Sequence, residues 1–369
     1  MEAKSILHMN NGNGESSYAS NSTVAESAMR KALPILNNTI KEMANRDIIF
    51  IHCFKMADLG CSSSTNSLLV ASYVINIIHG LCEEKNRRTP QFELYLNDLF
   101  ENDFNTLFRM LPKFYSGLKK ENGEHFGHCF VSATPGSFYG RLFPNKSLHL
   151  VRSTYGVHWL SQVPVGVENN TSNIYIAKSS PPNVLKAYQN QFDTDFSTFL
   201  QLRSEEVIKG GCMVLTILGR SINDPTSDDC CSFWELLAQS LVDMLKEGLI
   251  QESELNSFNV PYYSPCEDEV RNAVHNEGSF FLDNLSVFQI NWDPHDTDYT
   301  NMKDFEEPSH IHGKTTAKIM RAVTEPLLTS HFGSSIINVL FEKYEKRVAL
   351  HLANKKTRHF NIVISLSRK

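Results

Sequence analysis

The stretch Phe54-Lys55-Met56-Ala57-Asp58-Leu59-Gly60-Cys61 is an apolar segment that ends in a carboxylate and a glycine. A second segment of this kind, Phe92-Glu93-Leu94-Tyr95-Leu96-Asn97-Asp98-Leu99, follows about forty residues later. In an open parallel sheet, ligands bind outside the carboxyl ends of the strands. Gly60 allows a tight turn close to a ligand, and Asp98 can accept both hydroxyls of a ribose. The two segments predict a nucleoside-bearing cofactor at two strand ends.

These strand ends lack a glycine-rich motif for binding pyrophosphate, and this absence narrows the kind of cofactor that they can bind. An Asp after an apolar strand is also common as a turn or a helix cap, so the order of the two segments counts for more than either one. No Gly-x-Gly-x-x-Gly follows the first segment, which argues against the pyrophosphate anchor of an NAD enzyme. A cofactor with adenosine and no phosphate fits better, and S-adenosyl-L-methionine is the common one.

The composition is that of an ordinary globular protein, since 41% of the 369 residues are hydrophobic and 21% are charged. The net charge of −6, without a basic block, argues against a nucleic-acid partner. No apolar run reaches the roughly 20 residues of a membrane helix, and residues 1–8 have no apolar signal core. We therefore expect a soluble, cytoplasmic protein with no membrane partner.

The metal-ligating side chains do not form a recognisable metal site. The eight cysteines include no Cys-x-x-Cys pair. The His/Asp-rich stretch at 295–312 has a spacing that matches no usual ligand set. We expect no metal, and we expect reduced thiols.

Apolar strands and amphipathic helices alternate over residues 26–220, which predicts a doubly wound α/β fold. After residue 220, a helix over 233–245, a polar loop over 293–315 and a helix over 318–332 broken near Pro326 predict a mostly helical cap. The last strand is expected to return to the main sheet. The remaining predicted helices are 26–46, 67–81, 105–118 and 183–206, and the predicted strands include 129–131, 148–151, 213–218 and 360–366.

Six blocks occur in the order and spacing of one plant enzyme family. They are 7–10 with 17–19, 57–61, 96–99 with 102–105, 135–144, 158–162 and 234–238. Through them nearly the whole chain resembles the SABATH-type S-adenosyl-L-methionine-dependent methyltransferases, which act on salicylate, benzoate, jasmonate and the xanthine alkaloids of the caffeine pathway. The resemblance implies a Rossmann-like methyltransferase sheet over 26–220 and 333–369, a helical cap over 221–332, and a homodimer. It also implies an active-site flap over 1–25, where composition alone favours disorder.

The resemblance assigns the cofactor-binding residues position by position. Asp98 would bind the ribose hydroxyls and Leu99 would pack on the adenine. Closure of the flap would exclude water, which suits a charged sulfonium donor that loses its charge during transfer. Ser137 and Phe138 would hold the edge and face of the adenine, and the other cofactor positions, mostly around the methionine end, are Tyr18, Ser22, Asp58, Cys61 and Asn66.

One turn departs from the family pattern. The family reads Ser-Gly-Pro-Asn after the cysteine, whereas this chain has Ser63-Ser64-Thr65-Asn66. Since the missing Gly would suit a turn residue with positive φ, we expect weaker cofactor binding here.

The resemblance also marks an aromatic cavity for a flat acceptor. In salicylate-type members, a glutamine near position 25 and the tryptophan at Trp159 hydrogen-bond the substrate carboxylate, and a methionine precedes that tryptophan. This chain has Ala25 and His158, and Val157–Gln162 is similar to the xanthine-methylating members. His158 can donate to a purine carbonyl or accept from a ring N–H; alternatively, it is a packed histidine without a ligand contact. The acceptor positions are Tyr18, Ala25, Tyr155, His158, Trp159, Leu218, Phe233, Trp234, Tyr263, Met320, Val323 and His359.

These residues predict methyl transfer by positioning, in line with the departing sulfur, with His158 and Trp159 as the catalytic pair. A carboxylate acceptor is already ionised at neutral pH, whereas a xanthine N–H must lose its proton, either before binding or to His158. We expect a xanthine or methylxanthine N-methyltransferase. The alternatives are a carboxyl O-methyltransferase for benzoate, salicylate or nicotinate, and a non-catalytic binding protein.

Overall fold

A computed structural model describes residues 7–123, 128–294 and 308–369. Within these residues one sheet is formed by strands β1 Cys53–Leu59, β2 Gln91–Asp98, β3 Cys129–Pro135, β4 Leu148–Thr154, β5 Val207–Gly219, β6 Phe280–Asn291 and β7 Arg358–Arg368. The order across the sheet is β3-β2-β1-β4-β5-β7-β6. Strands β1 to β5 are parallel, and β7 is antiparallel to both of its neighbours.

Helices cover both faces of this sheet, which confirms the predicted α/β methyltransferase fold. Helices α1 to α3 contribute to one hydrophobic core, and α4, α5 and α7 to α9 contribute to the other. The helices are α1 Thr23–Asn45, α2 Asn66–Glu84, α3 Phe104–Asn122, α4 Pro182–Glu206, α5 Asp228–Lys246, α6 Glu252–Ser257, α7 Glu267–Glu277, α8 Pro308–Phe332 and α9 Ile337–Asn354.

Strand β1 lies between β2 and β4 in the sheet. The chain therefore winds away from β1 in both directions, and a crevice opens at the carboxyl ends of these strands. Strand β1 ends at Leu59 and β2 ends at Asp98. The two segments that decide the fold thus end at the same crevice.

The segment 221–332 contains helices α5 to α8, and it also contains a strand that the sequence does not predict, because residues 280–291 form β6 at the edge of the main sheet. The strand pairs with β7, and its register shifts between Leu282 and Asn284. Such a bulge interrupts the alternation of apolar and polar residues by which a strand is recognised in sequence. Strand β6 is also largely exposed on its outer side, so its apolar signal is weak.

Helix α8 runs over Pro308–Phe332 with Pro326 inside it, so the predicted break is wrong, and the predicted loop over 293–315 gives way to helix at Pro308. Residues 295–307 of that loop lie outside the described residues. Proline lacks an N–H, which leaves the carbonyl four residues earlier, that of Ala322, without its helical partner. The backbone N–H of Asn10 donates to this carbonyl at 2.9 Å. Pro326 therefore creates a docking point for the N-terminal segment.

Three observations concern membrane-spanning helices, metal ligands and cysteines. No helix in the described part of the chain is long and apolar enough to cross a membrane. The same residues contain no group of three side chains arranged to hold a metal ion. The eight cysteines are free thiols.

Candidate active site

The carboxyl ends of β1, β2 and β4 border a cavity of about 180 Å³. The cofactor half of this cavity is lined by Gly60, Ser62, Asp98, Leu99 and Ser137. The acceptor half is lined by aromatic side chains from the segment after β4 and from the cap, including those of His158, Trp159, Phe233, Trp234 and Tyr262.

Asp98 presents an oriented carboxylate to the cofactor half. Its Oδ2 accepts the N–H of Ser62 at 2.7 Å, and its Oδ1 accepts the N–H of Leu99 at 2.8 Å. Burial raises the pKa of Asp98 to about 6, although the two backbone donors act in the opposite direction. Each carboxylate oxygen retains a further lone pair. The group can therefore accept two more donors, as the two hydroxyls of a ribose require.

Ser62 has a left-handed backbone, with φ 50°, which a residue with a Cβ rarely adopts. The conformation is fixed from two sides, because the N–H of Ser62 donates to Asp98 and its carbonyl accepts Asn102 Nδ2 at 3.1 Å. Ser64 is not among the positive-φ residues. The left-handed backbone of this turn therefore lies at Ser62, two residues before the position of the missing glycine, and the expected weakening of cofactor binding stays a prediction.

Two residues of the cavity lining, Gly60 and Gly156, occupy positions that do not suit a residue with a side chain. Gly60 has φ 75°, and a Cβ on Gly156 would lie 2.5 Å from Ser153 Oγ and 3.2 Å from the Leu59 carbonyl oxygen. No Lys or Arg lines the cavity in the part of the chain that the structure describes. A cradle of this kind, with one carboxylate acceptor and no cation, fits an adenosyl cofactor without phosphate.

Three predicted cofactor residues lie behind the lining and not in it. Asp58 is buried and paired with Arg152, whose Nη1 lies 2.8 Å from its Oδ2. The Sγ of Cys61 donates to the carbonyl of the next residue at 3.4 Å, and Asn66 Nδ2 donates to the Ser22 carbonyl at 3.3 Å. In the free protein these side chains are engaged by other parts of the chain, and their contacts with the cofactor stay predictions.

The loop that carries Ser137 and Phe138 is held by a buried ion pair on α4. Arg203 donates to the carbonyls of Phe138 and Gly140, each at 2.8 Å. Glu206 lies 2.7 Å from Arg203 and accepts two further backbone N–H groups of the loop. Neither residue lines the cavity, and the sequence analysis did not identify this pair.

His158 is buried in the acceptor half, and its Nδ1 accepts the N–H of Leu218 at 3.1 Å. Because a backbone N–H can only donate, Nδ1 carries no proton, and the neutral ring carries its proton on Nε2. Burial, with a smaller contribution from His359, lowers the pKa of His158 to about 3. At neutral pH the ring is therefore an uncharged hydrogen-bond donor.

Trp159 is held beside His158 by its ring and by its backbone. The ring packs at steep angles against Trp234 and Tyr262, with centroids 6.3 and 5.6 Å away. The Trp159 carbonyl accepts the hydroxyl of Tyr139 at 2.7 Å. Among the described residues, the indole N–H has no hydrogen-bond partner. It is therefore available to a ligand.

Most of the predicted residues come together in this cavity, and Tyr263 is the exception among the acceptor positions. Its hydroxyl donates to Glu269 at 2.8 Å, away from the cavity, and Tyr262 takes its place in the lining. The predicted residues that line the cavity are Tyr18, Ser22, Ala25, Asp98, Leu99, Ser137, Phe138, Tyr155, His158, Trp159, Leu218, Phe233, Trp234, Met320, Val323 and His359.

Sequence reasoning also missed three lining residues in the second half of the chain. Trp292, Thr316 and Tyr344 line the cavity. Trp292 follows the unpredicted strand β6, and Tyr344 lies on α9, for which no helix was predicted. The only signal in the sequence for any of these three residues was the position of Trp292 beside an apolar run.

Comparison with known proteins agrees with this geometry. The sequence matches the profile of the SAM dependent carboxyl methyltransferases over residues 4–369. The chain belongs to this family. Among the methyltransferases, a probable jasmonic acid carboxyl methyltransferase of Theobroma cacao is 44% identical, with 100% of both chains covered. A benzoic acid/salicylic acid carboxyl methyltransferase of Petunia hybrida is 45% identical and covers 100% of this chain and 99% of its own.

A solved structure shares the methyltransferase fold. A loganic acid methyltransferase with SAH superposes with a TM-score of 0.84 at 29% identity, over 98% of each chain. Membership of the family confirms the predicted enzyme class and the predicted cofactor, S-adenosyl-L-methionine. The similar proteins act on carboxylic acids by name, which corrects the predicted closeness to the xanthine N-methyltransferases.

Proposed function

We propose that this methyltransferase forms methyl esters, with the carboxylate of a small organic acid as the acceptor. The observation that carries the proposal is the hydrogen bond that the ring of His158 accepts from the Leu218 N–H. Its Nδ1 is engaged by Leu218 and its Nε2 carries the proton, so the ring has no free lone pair with which to deprotonate a xanthine N–H. A carboxylic acid is already ionised at neutral pH. The site is therefore suited to an acceptor that needs no base.

Two N–H groups are suited to hold that carboxylate. His158 offers Nε2–H and Trp159 offers its indole N–H, and both side chains line the acceptor half. Ala25 lacks the glutamine donor of the salicylate-type pattern, and His158 supplies a second donor in its place. Since no Lys or Arg of the described residues lines the cavity, the acceptor's charge is balanced by the cofactor's sulfonium.

When bound, S-adenosyl-L-methionine supplies the methyl group: the carbon–sulfur bond breaks with its electron pair left on sulfur as the carboxylate oxygen bonds the carbon. The protein moves no proton in this reaction. Asp98 fixes the nucleoside, while His158 and Trp159 fix the carboxylate. Such positioning contributes on the order of 7–11 kcal/mol. The aromatic walls exclude water, which strengthens the attraction between the opposite charges that the reaction neutralises.

Methyl transfer to a panel of acceptors tests this proposal. Labelled cofactor is incubated with jasmonate, salicylate, benzoate, xanthine and a methylxanthine, and the products are identified by mass spectrometry. We expect methyl esters of one or more acids and no methylated purine. Methylation of the purines alone would contradict the proposal.

We further propose that residues 7–22 form a flap over the cofactor. Leu7, Met9 and Tyr18 line the cavity. Asn10 connects the segment to the cap, because its N–H donates to the Ala322 carbonyl and its Nδ2 donates to Glu325 at 2.8 Å. The flap therefore bridges the cofactor half and helix α8.

Asn10→Ala is expected to weaken the binding of S-adenosyl-L-homocysteine about three- to tenfold, since one partly buried hydrogen bond to a charged group is lost. Calorimetry measures the change. Asn11→Ala is the matched control, because Asn11 makes an exposed hydrogen bond to the Glu101 carbonyl. Equal losses in the two variants would count against docking of the flap through Asn10.

A further inference from the structure

Tyr155 has an unfavourable backbone conformation in the wall of the cavity. It directly follows β4 and lines the cavity, and its backbone is left-handed, with φ 62°. A bulky residue rarely adopts this conformation. It is costly, persists only where the surrounding structure imposes it, and occurs most often at functional sites. The contacts that impose it on Tyr155 therefore belong to the construction of the site.

Two hydrogen bonds fix Tyr155, one at its backbone and one at its hydroxyl. Its N–H donates to the carbonyl of Thr216 on β5 at 2.9 Å. Its hydroxyl donates to Oδ1 of Asn361 on β7 at 2.6 Å. Burial raises the pKa of Tyr155 well above its ordinary value, so the hydroxyl keeps its proton at neutral pH. The side chain is therefore tied to β7 as a neutral donor.

Asn361 is an unusual residue for its position, because it lies fully buried inside strand β7 and does not line the cavity. Asparagine is depleted in strands. Its Nδ2 donates to the His359 carbonyl at 3.0 Å. Since a carbonyl oxygen only accepts, this bond fixes the orientation of the amide and directs Oδ1 to Tyr155. The acceptor for the Tyr155 hydroxyl is therefore oriented in the free protein.

The same position in the sheet also holds His158. Asn361 pairs with Leu218 between β5 and β7, and the Leu218 N–H donates to His158 Nδ1 at 3.1 Å. The rings of Tyr155 and His158 are neighbours, with centroids 5.6 Å apart. One pair of strand residues therefore orients two adjacent side chains of the cavity wall, His158 through the backbone of Leu218 and Tyr155 through the side chain of Asn361.

We propose that Asn361 is a positioning residue for methyl transfer, which acts through the Tyr155 hydroxyl to keep the Tyr155 ring in place beside His158. A displacement of about 1 Å in a group that positions a reactant can lower a rate about a hundredfold. A residue outside the cavity can therefore control the rate through one hydrogen bond. The proposal rests on the methyltransferase activity of the family and holds for whichever acceptor the enzyme methylates.

A double-mutant cycle with Tyr155→Phe and Asn361→Leu tests the proposal, with the acceptor of the panel that is methylated fastest. We expect each single variant to lower kcat about tenfold, because each removes one end of the same buried hydrogen bond. The double variant should also lose about tenfold, and not about a hundredfold, because the two residues act as one unit. The affinity for S-adenosyl-L-homocysteine, measured by calorimetry, should change by no more than about twofold in all three variants.

Tyr188→Phe is the matched control for the loss of a buried hydroxyl. Tyr188 donates to the Val260 carbonyl at 3.0 Å, and it does not line the cavity. The variant should lower the unfolding temperature and leave kcat unchanged. A tenfold loss of kcat in Tyr188→Phe would show that kcat follows stability, and it would overturn the proposal.

Three further outcomes would overturn the proposal. Additive losses in the double variant would show that Asn361 acts independently of Tyr155. A fall in affinity for S-adenosyl-L-homocysteine that equals the fall in kcat would show a general disturbance of the site. Tyr155→Phe with the kcat of the wild type would exclude a role for the hydroxyl, even if Asn361→Leu did not fold.

Discussion

Asp98→Ala is expected to weaken the binding of S-adenosyl-L-homocysteine by on the order of a thousandfold, because two hydrogen bonds from the ribose to a charged group are lost, each contributing about 1.5–3 kcal/mol. Asp98 is already oriented by two backbone N–H groups, so the free protein provides these acceptors without rearrangement. Calorimetry measures the affinity, and thermal unfolding checks that the variant is folded. A loss below about tenfold would show that Asp98 does not bind the ribose.

The same carboxylate should make cofactor binding depend on pH. Burial raises the pKa of Asp98 to about 6 in the free protein, and the ionised form is the one that accepts two hydroxyls. Affinity should therefore fall as the pH drops through 6, by about tenfold between pH 7 and pH 5. Asp98→Asn cannot titrate and should remove the dependence. Asp47→Asn, in an exposed turn, should retain it.

His158→Phe and Trp159→Phe are each expected to lower kcat/KM for a carboxylic acid by on the order of a hundredfold, because each variant loses one donor to a charged oxygen. The binding of S-adenosyl-L-homocysteine should change by no more than about twofold, because neither residue is placed at the nucleoside. Steady-state kinetics and calorimetry together separate the two effects.

The conservative variant His158→Gln distinguishes a donor from a base. An amide can accept the Leu218 N–H and still donate to the carboxylate, so His158→Gln should recover much of the activity that His158→Phe loses. The activity of the wild type should show no titration from His158 between pH 6 and pH 8, since its pKa is lowered to about 3. No recovery in the glutamine variant, together with a titration that His158→Phe abolishes, would indicate a general base.

The sequence predicted those parts of the site that depend on short, continuous patterns of residues. Asp58 and Asp98 end apolar strands, and the strands of a parallel sheet bring their carboxyl ends to one edge. Asp98 therefore lies at the crevice as expected. Asp58 ends the neighbouring strand, but its pairing with Arg152 on β4 depends on a partner about ninety residues away, which no local pattern contains.

The parts that sequence reasoning missed depend on contacts between distant segments. Tyr262 and Tyr263 are neighbours in a segment without regular structure, so periodicity could not decide which of them faces the cavity. The cavity lining includes Trp292, which directly follows the bulged strand β6, together with Thr316 on α8 and Tyr344 on α9. No spacing in the sequence would group Trp292, Thr316 and Tyr344.

The sequence favoured a purine acceptor over the carboxylate that we propose, because it contains His158 but does not show where the proton of its ring lies. The motif Val157–Gln162 resembles the xanthine-methylating members, and that resemblance favoured a purine. The hydrogen bond from Leu218 fixes the tautomer, and it joins residues sixty positions apart. The homodimer and the cytoplasmic location stay predictions.

A crystal structure of the protein with S-adenosyl-L-homocysteine and a carboxylic acid that it methylates tests the central claim most directly. We predict the ribose hydroxyls at hydrogen-bond distance from Asp98 and the acceptor carboxylate at hydrogen-bond distance from both His158 Nε2 and the Trp159 indole nitrogen. A carboxylate bound away from His158 and Trp159, or an Asp98 side chain turned away from the nucleoside, would contradict the claim that neutral donors hold a carboxylate for methylation.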